Sequence, residues 1–167
     1  APDVAPVTSF QPERADTPPL HLALAERSEM ILRISATGQV DFYRTSDGSG
    51  VASIPLAIPE GEQISSFALD VGESGNFAVG LESGAVLLAR YGFASNYDGG
   101  VSTRELIPSI GYPFGRALLP LLVNQPLTQL AVSTRDEETL LAAASGDRVG
   151  MLRLQQQTNL FASFVEN

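Results

Sequence analysis

The chain has 167 residues and 17.7 kDa, with 44% hydrophobic and 17% charged residues, enough for one domain with its own core. It contains no Cys, Lys or Trp, a single His, ten Arg and nineteen acidic residues, for a net charge of −9. Thiol nucleophiles, disulfides, Cys-based metal centres, Schiff-base lysines and P-loops are thereby excluded. A pI near 4.4 opposes nucleic acid as a partner, because phosphate contacts need concentrated basic charge.

Residues 1–19 hold five of the eleven prolines and show no hydrophobic period. Ala1-Pro2-Asp3-Val4-Ala5-Pro6 and Thr17-Pro18-Pro19 read as an extended linker, with the folded domain spanning 20–167. The chain opens on neither an initiator Met nor a signal-like apolar stretch, as expected of an excised or mature piece.

An internal repeat dominates residues 20–167. The segments beginning at Leu22, Phe67 and Leu130 align, each with a short apolar strand, a polar turn, a second apolar strand and a Gly turn at Gly38, Gly84 or Gly146 leading into a third strand. Fourth strands are expected at Val51–Leu56, Val101–Ile107 and Asn159–Val165. The resulting units, about 20–57, 64–108 and 127–166, predict an all-β fold. Its architecture would be three WD-repeat-like, four-stranded antiparallel blades of a partial β-propeller. Three blades are fewer than the roughly 4–8 of a closed ring, so closure falls to a second copy or to further chain. Uncovered blade edges also invite self-association.

The chemistry-bearing residues converge weakly. His21 stands at the start of the first strand without a G-x-S-x-G elbow anywhere in the chain. Asp70 with Glu73, and Asp136-Glu137-Glu138, fall at turns where carboxylates are ordinarily solvated. A propeller-fold hydrolase using those carboxylates is the enzymatic alternative. The main reading is non-catalytic, with no catalytic, cofactor-binding or metal-ligating residues assigned.

The second unit carries an insertion at 91–116 that holds Tyr91, Phe93, Tyr97, Arg104, Tyr112, Phe114 and Arg116. Aromatics and arginines are enriched at protein interfaces, so these seven are the candidate interaction residues. The competing expectation is that the hairpin folds back and Tyr112 and Phe114 seal the end of the core.

Around that insertion, Ala78–Arg90 followed by Leu106-Ile107-Pro108 and Gly111-Tyr112-Pro113-Phe114-Gly115 resembles the extra-membranous, propeller-like domain of some bacterial phosphate ABC-transporter permeases. The likeness spans roughly residues 20–154. It implies a periplasmic accessory domain of an inner-membrane importer that contacts transporter subunits or a solute-binding protein. Such a domain would be tied to the membrane only through the parent chain's transmembrane helices. The alternative is a free-standing WD-repeat-like interaction scaffold unrelated to transport.

Overall fold

The computed structural model describes residues 19–25, 27–70, 74–97, 104–118 and 125–155. Eleven strands lie within them, with no helix. They are β1 (Pro19–Ala25), β2 (Met30–Ser35), β3 (Gln39–Arg44), β4 (Gly50–Pro55), β5 (Ile64–Leu69), β6 (Asn76–Leu81), β7 (Ala85–Tyr97), β8 (Arg104–Leu118), β9 (Gln129–Arg135), β10 (Glu138–Ser145) and β11 (Arg148–Gln155). They form three antiparallel meanders in sequence order: β1-β2-β3-β4, β5-β6-β7-β8 and β9-β10-β11. The fourth strand expected at 159–165 and the Pro-rich segment 1–18 lie outside the described residues.

Turn chemistry sets the register of each meander. Gly38, Gly84 and Gly146 all take the left-handed conformation (φ 84°, 86° and 60°), where a side chain is disfavoured. Across these turns Ile34 pairs with Val40, Gly80 with Val86 and Ala142 with Met151. Two pairs further on, on the same face, lie Leu32 with Phe42, Ala78 with Leu88 and Leu140 with Arg153. The left-handed glycine thus recurs in all three sheets, in a tighter turn in the third, where Ser145 pairs with Arg148.

Because side chains alternate across a strand, each sheet has two faces. In the first sheet the face bearing Leu32, Ile34, Val40 and Phe42 packs on the second sheet's Phe77, Val79, Leu81, Ala85 and Leu87. The second sheet's opposite face, with Ala78, Val86 and Leu88, packs on Val132, Leu141 and Ala143 of the third. Each sheet thus presents a leading face to the trailing face of the next. The middle sheet is covered on both sides, and every residue of β6 is buried. Phe42 and Phe77 are fully enclosed, a burial that contributes about 1.5–3 kcal/mol each.

Within the stretch read as an insertion, residues 91–97 and 104–116 continue β7 and β8, which pair from Ala85 with Leu118 out to Tyr97 with Arg104. The fourth strand of this sheet accordingly runs to Leu118, whereas the sequence places it at Val101–Ile107. Strands of 13 and 15 residues are well beyond the usual five or six. Pro108 and Pro113 are tolerated because β8 is an edge strand that needs no second ladder.

At Gly80 the second sheet lies close against Leu130 of the third and the preceding Leu127. A Cβ there would meet Leu127 Cβ at 3.0 Å and Leu130 Cδ1 at 3.2 Å, besides the Ser66 hydroxyl. Gly80→Val should destabilise the fold by about 1–3 kcal/mol through overpacking. Urea unfolding followed by circular dichroism would read that loss.

Candidate functional site

The paired segment of β7 and β8 beyond Arg90 projects past its own sheet, since Asn76–Arg90 is the last pairing of β7 with β6. Seven residues at ~3.3 Å each give an arm of about 23 Å. A free two-stranded hairpin of this kind is marginal in water. This one is supported by its inner face. Tyr91, Phe93 and the buried Leu106 pack against Ala25, Met30 and Val51 of the first sheet.

Rings continue that support through the interface between the first and second sheets. His21 contacts Phe67 (centroids 4.9 Å), Phe67 contacts Phe77 (5.7 Å) and Phe77 stacks on Tyr91 (6.5 Å). Tyr91 meets Phe93 edge-on (5.7 Å), and Phe93 meets Phe42 nearly perpendicularly (5.8 Å). Edge-to-face contacts of this kind add about 0.5–1.5 kcal/mol beyond area burial. Two of the candidate interaction aromatics therefore anchor the arm.

At the root of the arm the ladder is irregular. Leu88 pairs with Gly115 and Arg90 with Gly111, so Ala89 alone faces Tyr112, Pro113 and Phe114. Within this bulge Tyr112 packs on the cluster between the first and second sheets, and Phe114 on that between the second and third. The Tyr112 Oη accepts the Ala57 N–H at 2.8 Å, tying β8 to the segment that leaves the first sheet. The expectation that both rings close the core describes this geometry. The side chains of Tyr97, Arg104 and Arg116 lie outside the described residues; only their backbone places in β7 and β8 are given.

The outer face of the arm carries Gly92, Ala94, Glu105, Ser109 and Ile107, which is 47% exposed. An open hollow of about 400 Å³ lies at its root beside Gly92, Ser109, Gly111, Tyr112 and Pro113. A second, of about 280 Å³, is lined by Met30, Arg44, Thr45 and Leu106 among others.

The acidic residues are placed differently from what the turns suggest. Asp70 is buried rather than solvated. Its Oδ2 accepts the backbone N–H of Thr134 (3.0 Å) and the Ser74 hydroxyl, joining the second sheet to the third. The Asn76 amide donates to Thr134 Oγ1 (2.8 Å), and its carbonyl accepts from Arg90 Nε (2.7 Å). Sequence reasoning missed this seam because Asp70 closes it with partners some 60 residues away. Asp136 and Glu137 are exposed, Glu138 pairs with Arg153, and Glu73 lies outside the described residues. Among the described residues no group of three or more His, Cys, Asp or Glu is arranged to hold a metal ion.

No protein-family model matches the chain, and no curated protein matches it significantly. Among solved structures it is similar to Sqt1 from Saccharomyces cerevisiae, at 16% identity and a TM-score of 0.47. That similarity covers 86% of this chain and 33% of Sqt1, so the chain spans about a third of its length.

Asp70→Ala leaves the partly buried Thr134 N–H without this acceptor and should cost about 1–3 kcal/mol in urea unfolding. Partial burial holds the His21 pKa below its ordinary 6.5, since desolvation penalises the imidazolium. The unfolded chain then binds the proton more readily, so the stability that His21 supports at neutral pH falls as pH drops below about 6.5. Between pH 7.5 and 5.5 the Tm of the wild type should fall more than that of His21→Leu, as measured by differential scanning calorimetry.

Proposed function

We propose that this chain is a non-catalytic protein-interaction scaffold built from WD-repeat-like blades, with the β7–β8 arm as its contact element. One observation carries the reading: an arm of about 23 Å whose aromatic inner face is fixed on the first sheet and whose outer face offers small residues, exposed backbone and Ile107. An arm already held in one conformation loses little entropy on binding, which is the advantage of preorganisation. The hollow at its root leaves room for a protruding side chain.

The buried ionisable groups act in holding the sheets. Arg33 donates to Asp41 at 2.7 Å, Ser53 adds a hydroxyl to the same carboxylate, and Asp70 bridges two sheets. This use of the carboxylates favours a scaffold over the hydrolase reading.

Attachment to a phosphate-importer permease is a second proposal, and it stands on the resemblance around 78–115. Within it, the same arm would meet another transporter subunit or a solute-binding protein. Fractionation of native cells distinguishes the two settings. A membrane-bound parent much heavier than 17.7 kDa, cleaved by protease from the periplasmic side, supports the permease. A soluble band near that mass supports the free scaffold.

The arm itself is tested by Ile107→Arg. Chemical crosslinking in cells should yield a defined partner adduct with the wild type and at least a tenfold weaker one with the variant, at unchanged circular dichroism. An adduct of equal intensity would remove the arm from the interface.

A further inference from the structure

Large apolar side chains are exposed at both ends of the stack of sheets. On the third sheet, Val149 and Met151 are 69% and 70% exposed, and Leu140 is 36% exposed. On the first sheet, Leu22 and Leu24 of β1 are 64% and 60% exposed. Their places in the repeat relate the two patches to each other.

Ala142 stands four residues before its turn glycine, as Ile34 and Gly80 do, and shares the leading face of the third sheet with its partner Met151. Leu140 corresponds in the same register to Leu32 and Ala78. In the first and second sheets these leading-face positions are buried against the following sheet. At the other end, Leu22 and Leu24 align with Phe67 and Leu69, which pack on the first sheet, and with Leu130 and Val132, which pack on the second. Leu22 and Leu24 share a face with Arg33 and Ile31, opposite the leading face. They occupy the trailing positions of the first of the three described sheets.

The second and third sheets show which strands meet at such an interface. β9, the first strand of its sheet, lies against β5 and β6 of the sheet before it. Carrying that relation one step further sets a β1 against β9 and β10. Arg33, Asp41 and Tyr43, further across the trailing face of the first sheet, are buried, so the strip that β1 offers is Leu22 and Leu24.

We propose that two copies of this chain associate head to tail, with β1 of each seated on the β9–β10 leading face of the other. The two exposed patches match the leading and trailing positions through which the second and third sheets already pack on each other. Two copies give six stacked sheets, within the roughly 4–8 of closed rings. A contact between unlike surfaces closes in this way only when the rotation allows it, and otherwise grows into filaments. Copy-to-copy contact of this kind is independent of the partner of the β7–β8 arm.

The test is sedimentation velocity with light scattering on the 167-residue chain, with folding checked by circular dichroism. The wild type should be dimeric at micromolar concentration. Met151→Arg and Leu24→Glu, both at exposed positions, should each be folded and monomeric. Mixing the two variants should restore a dimer, because one contact then holds only wild-type residues and the other an Arg–Glu pair. A monomeric wild type, a mass that climbs without limit on concentration, or a dimer indifferent to both substitutions would overturn the proposal. So would a mixture that stays monomeric, since only a head-to-tail contact predicts that rescue.

Discussion

The structure depends on the burial of both faces of one antiparallel sheet. An antiparallel sheet commonly keeps one face in water and alternates polar with apolar residues. The β6 sequence Asn76-Phe-Ala-Val-Gly-Leu81 does not alternate, and it is buried at all six positions. A strand of this kind needs a sheet on each side. The first and third sheets supply them, and on their outer faces Leu22, Leu24, Leu140, Val149 and Met151 remain exposed.

Polar seams and aromatic contacts then fix how the sheets sit. The Asp70–Thr134 and Asn76–Thr134 hydrogen bonds orient the third sheet on the second, where slippage of apolar faces alone would be tolerated. Between the first and second sheets, the ring contacts from Phe67 to Phe42 perform the same task and extend it outward along β7. The candidate site depends on this continuity. A hairpin that would be marginal alone becomes a fixed arm because Tyr91, Phe93 and Leu106 continue the interface of the sheets below it. Its outer strip, including Ile107, remains open.

Much of the fold is legible in the sequence because it is local. The Gly38, Gly84 and Gly146 turns, the short apolar strands and their grouping all come from periodicity and from glycine at left-handed φ. The reach of β7 and β8 is less legible, since Gly92 and Gly111 resemble breaks but sit within the ladder as Gly92–Ser109 and Arg90–Gly111 pairs. The sides taken by the aromatics are not legible at all. Tyr91 and Phe93 have the composition of an interface, and only the sheet lying opposite makes them anchors. Asp70 is similar: a turn carboxylate by sequence, it becomes a buried bridge through a backbone N–H 64 residues away.

The middle sheet, covered on both faces, is the hub from which the arm and the outer sheets take their positions. Native-state hydrogen exchange measures this most directly, because protection reports the free energy needed to open each strand. The amides of β6 should exchange slowest among the described strands, at the rate of global unfolding, with β7 close behind and β1 and β11 fastest. Rapid exchange in β6, or protection spread evenly over the three sheets, would contradict it.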